Sequence, residues 1–279
     1  MRCQLDAVSE TLSAPTSRRS VSRMRAGVWS QVEDELAEEV AVALEYNGVS
    51  HAVMMATPAD LEEFALGFSI SEGIITSASE FYGVEVEQGA AGITAHIEVS
   101  SAAFMGLKER RRSMTGRTGC GLCGVDSLSQ VLRPLPWLAP SRVLSARVIR
   151  RALGDVKALQ PLNRITGATH AALWCGSDGV PVIGYEDVGR HNALDKLIGG
   201  LARGRTDVAG GFALITSRAS VEMVQKAATA GIAAMVAISA PTALAARTAQ
   251  GCGMTLVAFA RGDDFVAYAH GINIDMDTV

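Results

Sequence analysis

Cysteine is scarce in this chain, with five in 279 residues, and the count is odd. Cys3, Cys120, Cys123, Cys175 and Cys252 are too few and too scattered for a disulfide framework, which points to a reducing cytoplasm. Long apolar runs are also missing. The best candidate, Gly231 to Ala246, is broken by Ser239, Pro241 and Thr242, so no membrane span is expected. No secretory apolar region follows Arg18-Arg19, and Asp6 and Glu10 argue against a transit peptide. Neither sign of charge dominates. A net charge of −4 gives no global reason to expect nucleic acid, so any anionic partner is met at one local face. No internal repeat occurs, and no low-complexity run follows the first segment.

What remains is the composition of a soluble globular protein, 48% apolar and 19% charged, long enough for one large domain or two ordinary ones. Residues 1–27 are rich in Ser, Thr and Arg without apolar period and read as a mobile tail. Residues 28–107 read as a small α+β unit. Glu39 to Tyr46 and Val49 to Ala56 alternate as strands around Asn47-Gly48, a strong hairpin signal. Thr57-Pro58-Ala59-Asp60 predicts a capped helix start, with Leu61, Phe64, Ala65 and Phe68 on one face. Val84 to Val86 and Ile93 to Val99 read as further strands.

Residues 108–142 hold a basic run, two cysteines and three prolines, and predict an irregular connection between units. From 143 to 279 helices and strands alternate, which predicts an α/β unit built on a mainly parallel sheet covered on both faces.

The chemistry centres on Arg117-Thr118-Gly119-Cys120-Gly121-Leu122-Cys123-Gly124. Lys108 to Arg117 carries five cations against one anion, and nearby positive charge favours thiolate. The pair Cys120 and Cys123 admits three readings: a redox dithiol, half of a zinc site, or a persulfide-bearing sulfur-transfer site. Zinc needs two further ligands that no second paired motif offers. A thioredoxin-like pair opens a helix, whereas glycines flank this one on both sides. Two inert cysteines would sit in a buried apolar setting, not in this composition.

Three strand-to-helix junctions are candidate ligand sites, and the second and third suit an anion. Glu186-Asp187-Val188-Gly189-Arg190-His191 lies where ligands bind in open sheets, although Asp187 as a cap and His191 paired with Asp195 account for it equally well. Thr216 to Ser220, with Ser217 and Arg218, and Ser239 to Thr242 place hydroxyls at helix starts, as phosphate binding or simple capping would.

These stretches together resemble the formate dehydrogenase accessory sulfur-carrier (FdhD) family. The matching residues are Val42 to Met55, Phe64 to Ile75, Phe104 to Gly124, Thr166 to Ala172, Glu186 to Leu197, Ser217 to Lys226 and Thr255 to Phe259. The resemblance implies a sulfurtransferase that takes sulfane sulfur from a cysteine desulfurase. It would pass that sulfur to the bis-molybdopterin guanine dinucleotide cofactor destined for formate dehydrogenase. It further implies a homodimer with a cytidine-deaminase-like C-terminal domain, Cys120 as the persulfide cysteine and Cys123 as its motif partner. Phe259, Ala260, Arg261, Gly262, Asp263 and Asp264 would align with a cofactor-binding stretch, in which the two aspartates depart from a more basic turn. No deaminase zinc signature accompanies the fold, and no resident metal is implied.

Overall fold

The computed structural model describes residues 13–115, 133–140 and 144–275. Cys120 and Cys123, and the glycines around them, lie outside the described residues.

The first unit is a four-stranded sheet in the order β4-β3-β6-β5, made of β3 (Val40–Tyr46), β4 (Val49–Ala56), β5 (Phe81–Gly89) and β6 (Gly92–Val99). Asn47 (φ 44°) and Gly48 (φ 77°) both take the left-handed conformation that a tight hairpin turn needs. The Asn47 side chain also spans to β6, giving its amide to the Val99 carbonyl and accepting from the Val99 N–H. Strict alternation puts Val42, Leu44 and Tyr46 on the buried face, each fully enclosed, against α1 (Leu61–Ser71) and α2 (Ser101–Thr115). Each fully buried aliphatic or Phe side chain in such a core contributes about 1.5–3 kcal/mol of transfer free energy.

Three expectations change here. The segment read as a mobile tail contains β1 (Thr16–Arg25), which pairs over its whole length with β2 (Val28–Ala37). Ala26 and Gly27 turn with positive φ, and the cross-strand pairs Arg18–Glu35 and Arg23–Asp34 join the arms. Such a ribbon is held by turn and cross-strand charge, so it shows no apolar period. The basic run is not irregular at its start. Lys-Glu-Arg-Arg-Arg are good helix formers, and α2 continues through them to Thr115, anchored by buried Ala103 and Leu107. Finally, Thr57 does not cap α1. Asp60 holds the cap position at φ 53° without a side-chain cap bond, because Thr57 is committed to the second unit.

That second unit is a six-stranded sheet in the order β13-β12-β11-β10-β8-β9. Its strands are β8 (His170–Gly176), β9 (Pro181–Asp187), β10 (Gly211–Ile215), β11 (Ala234–Ala237), β12 (Thr255–Arg261) and β13 (Asp264–Ala269). A short pair, β7 (Leu144–Ser145) with β14 (Ile274–Asp275), lies apart from it. The expected mainly parallel sheet is in fact mixed. Only β10–β11 and β11–β12 are parallel, while β8–β9, β8–β10 and β12–β13 are antiparallel. Parallel pairing arises where a helix supplies the crossover, and the short turns at Gly176–Gly179 and Gly262 make hairpins instead. On one face lie α5 (Arg190–Arg203), α6 (Val221–Thr229) and α7 (Ala243–Cys252); α3 (Ala146–Asp155) covers the other. The short α4 (Pro161–Thr166) precedes β8.

Helices α1 and α5 join the units by a crossing that admits no side chain at its centre. A Cβ on Gly67 would lie 1.7 Å from the Asp195 carbonyl oxygen, and one on Gly199 would lie 1.9 Å from that of Glu63. Glycine is required at both places because backbone meets backbone.

Candidate functional site

Strand β9 ends in Glu186-Asp187, and both carboxylates turn inward. Glu186 accepts from the Leu162 and Asn163 N–H groups and from the Thr169 hydroxyl, so it closes the N-terminus of α4. Asp187 is fully buried. It accepts from Gly189 N–H at 2.7 Å, Asn192 Nδ2 at 3.0 Å and Thr57 N–H at 3.0 Å, and it pairs with Lys196 Nζ at 2.7 Å. Lys196 in turn donates to the Thr57 carbonyl, and Thr57 Oγ1 accepts from Val188 N–H. Gly189, and not the expected Asp187, holds the α5 cap position; Asp187 instead fixes the α5 start against the first unit.

Positions four apart on a helix share a face, and α5 and α6 use this twice. His191 and Asp195 on α5 meet Glu222 and Lys226 on α6. His191 Nε2 lies 3.0 Å from Glu222 Oε2, close enough for an ion pair but out of line for a hydrogen bond. Asp195 Oδ2 lies 2.9 Å from Lys226 Nζ, and Ser71 Oγ donates to Asp195 Oδ1 at 2.6 Å. The expected His191–Asp195 pair is thus replaced by two rungs between helices, His191 with Glu222 and Asp195 with Lys226.

Lys226 also reaches Glu72 at 2.7 Å, and Arg133 closes the group, 3.5 Å from Glu72 and donating to the Ser71 carbonyl at 2.5 Å. Burial opposes the Glu72 charge, yet Lys226 and Arg133 outweigh it and hold the carboxyl below its ordinary value. For Lys226, burial is likewise outweighed by Asp195 and Glu72, which raise it. Toward solvent the balance differs. Burial lowers the His191 pKa, aided by Arg190 and Lys226 and opposed by Glu222; burial and then Arg190 also lower His170. Arg190 Nε and Ser220 Oγ are enclosed without a hydrogen-bond partner, and Ser220 sits at the α6 N-cap without a side-chain cap bond. Polar atoms enclosed in this way are where a ligand or water completes the site.

The remaining predicted residues fall along the same end of the sheet. Ser217 is buried and Arg218 exposed beyond β10. One strand further, Phe259 N–H donates to the Ser239 carbonyl, and Arg261 Nε to that of Ile238. Phe259 has φ 51° at an irregularity in the β12–β13 ladder, and its ring, 42% exposed, stands 6.4 Å from that of Tyr268. An aromatic residue held at positive φ is unusual and marks a strained site. Ala260 is buried, Gly262 turns at φ 57°, and Asp263 and Asp264 are exposed. The structure brings Ser217, Arg218 and the 259–264 turn to one rim, separated by the end of β11, and sets His191 beside Glu222 at the start of α6. Arg133 lies in no motif, and Glu72 and Glu222, although inside stretches that carry the resemblance, take their place in the site from partners on other elements.

Neither described cysteine suits nucleophilic work. Burial pushes the Cys175 thiol up to about 12 and raises Cys252 as well. Among the described residues no cluster of three or more His, Cys, Asp or Glu is placed to hold a metal ion, and no helix is long and apolar enough to cross a membrane.

Residues 37–275 match the model of the FdhD/NarQ family. A protein of Variovorax paradoxus named "Sulfur carrier protein FdhD" is 53% identical over 237 residues, covering 85% of each chain. One of the same name from Cupriavidus necator is 51% identical over 276 residues, 97% of this chain and 96% of that one. A crystal structure of a putative formate dehydrogenase accessory protein from Desulfotalea psychrophila superposes with a TM-score of 0.72 at 23% identity, covering 93% of this chain and 99% of the other.

Proposed function

Since this chain belongs to the FdhD/NarQ family, we propose that it is a sulfur carrier serving formate dehydrogenase, loaded at Cys120 and discharged onto a molybdopterin guanine dinucleotide cofactor. The observation that carries the reading is identity of about half over nearly the whole chain to proteins named as sulfur carriers. In the loading step the Cys120 thiolate attacks the outer sulfur of a cysteine desulfurase persulfide. A new S–S bond forms on Cys120, the old one breaks, and the desulfurase thiolate leaves with the electron pair. The burial of Cys175 and Cys252 supports giving this work to the 117–124 segment.

The cargo is read by the strand-end rim. The α6 and α7 N-termini and Arg218 suit the pyrophosphate, and the exposed Phe259 ring suits the guanine face. Three layers with α3 on one face and α5 to α7 on the other are compatible with a cytidine-deaminase-like second unit, in a homodimeric cytoplasmic protein. The test is mass spectrometry of the intact protein after incubation with a desulfurase and cysteine. A gain of one sulfur atom mapped to residues 117–124 is expected, and it should vanish in Cys120→Ala. If Cys120→Ala and Cys123→Ala both restored formate dehydrogenase in a strain lacking the protein, cofactor holding without sulfur chemistry would replace this reading.

A further inference from the structure

From residue 26 to residue 107 the sequence holds fourteen carboxylates and neither lysine nor arginine. Four of these carboxylates collect on the solvent side of the first sheet, opposite the buried Val42, Leu44 and Tyr46. Direct cross-strand partners share a face. The pairings Glu45–His96, His96–Glu85 and Glu98–Gly83 therefore gather Glu45, Glu85 and Glu98 around one histidine, with Glu87 in the next row. Glu45, Glu85 and Glu98 line a groove of about 440 Å³ at the Asn47-Gly48 end of the sheet. His96 lies 3.5 Å from Glu45 and 3.1 Å from Glu87, so at most one positive charge offsets four negative ones. Glu85 and Glu98 are exposed and form no ion pair among the described residues. On the same face β4 shows Val53, 62% exposed, and Met55.

The β1–β2 ribbon has the opposite character. Its register places Arg19, Arg23 and Arg25 on one face with Val28 and Asp34, three cations to one anion. Arg23 reaches Asp34 at 3.4 Å, but the pair is half exposed and worth little. Arg19 and Arg25 form no ion pair among the described residues. Every residue from 22 to 31 is exposed. A two-stranded ribbon is marginal by itself, and ten residues of strand reach about 33 Å. The ribbon leads into Val40, at the far end of β3 from the groove, and β2 touches α4 of the second unit. The ribbon thus roots away from its own chain's groove.

We propose that the ribbon tip of one copy of this chain lies across the acidic groove of a second copy. Arg23 and Arg25 meet the Glu45, Glu85 and Glu98 carboxylates, and Val28 meets Val53 and Met55. Surfaces of opposite charge on one chain favour a second copy as the occupant, because a two-fold axis satisfies both surfaces twice. The inference rests on the homodimer of the proposed function, whose contact it names, and on no step of the sulfur chemistry.

Sedimentation equilibrium of the full-length protein tests the contact. The samples are wild type, Arg23→Glu with Arg25→Glu, Glu85→Arg with Glu98→Arg, and an equimolar mixture of the two double variants. All four positions are exposed, so thermal midpoints should hold. Each variant alone sets like charge against like and should dimerise about tenfold or more weakly than wild type. Added salt should weaken the wild-type dimer too. The mixture should recover wild-type affinity, since each ribbon then meets a groove of opposite sign on the other variant. Variants that dimerise like wild type, or a mixture that fails to recover, would overturn the contact and leave the homodimer standing. A wild type that is monomeric at every concentration would overturn the homodimer and the contact with it. Sulfur uptake from a desulfurase, which neither variant should alter, reports on the sulfur-carrier reading separately.

Discussion

Gly67 and Gly199 face each other across the α1–α5 crossing, and the Cβ position of Gly199 falls 2.9 Å from the Gly67 backbone nitrogen. With carbonyl oxygens as the first obstacles, no rotamer change relieves a substitution. Gly67→Ala and Gly199→Ala should each cost about 3 kcal/mol or more, at the upper end of overpacking effects. Gly106→Ala is the control, because its Cβ would meet nothing within 4 Å and a helical alanine gains about 0.5–1 kcal/mol. Urea unfolding of the three variants checks this; a mild Gly67→Ala would show that the helices separate easily.

The Asp187–Lys196 pair is fully buried and gathers Thr57, Gly189 and Asn192 around it. Lys196→Met should lose about 3–5 kcal/mol, because it strands a buried carboxylate. Adding Asp187→Asn should recover part of that loss by removing the stranded charge. Chemical denaturation of the single and double variants reads both effects, and a further drop in the double would refute the stranded-charge account.

Stability should fall as pH drops below about 6.5. His170 and His191 bind protons less readily in the fold than their ordinary 6.5, since burial disfavours the charged ring. Below that value the unfolded chain takes up protons that the fold refuses, and this favours unfolding. His96 acts in the opposite sense. Its bond to Glu87 raises its pKa, so its contribution is present below 6.5 and lost as pH rises through the raised value, but the site is exposed and the effect small. His191→Gln should flatten the slope of unfolding free energy between about pH 5 and 7; an unchanged slope would remove His191 from the account.

Phe259 offers a test in which stability and binding diverge. Asparagine tolerates the left-handed backbone, so Phe259→Asn should relieve up to about 1 kcal/mol of strain. The side chain is 42% exposed, so the burial it gives up offsets part of that gain. If the ring faces guanine, titration calorimetry with guanosine diphosphate should show binding weakened about fivefold or more, the scale of one lost stacking contact. Unchanged affinity would place the base elsewhere.

Much of the fold was legible because it rests on local pattern. Val49–Ala56 was bounded correctly, since its hairpin turn and alternation agree. What stayed hidden was long-range. Thr57 has every feature of a cap, and only the distant Asp187 and Val188 draw it away. The β1–β2 ribbon has arms that become intelligible only when paired, and the first arm alone reads as polar coil. At the candidate site, His191 and the 259–264 turn are visible as motif pieces, but Glu222 and Arg133 gain meaning only from the ends of α5 and α1 that they meet. The sheet's mixed direction followed from hairpins that strand-by-strand reading does not orient.

The inner rung between α5 and α6 sets Asp195 against Lys226, while the outer rung sets His191, which burial keeps uncharged at neutral pH, against Glu222. Sliding one helix past the other by a single turn would set Asp195 against Glu222, like facing like, or move Lys226 from its carboxylate to an uncharged ring. The inner pair therefore acts as an index mark that rejects neighbouring alignments and sets the level of both helix starts.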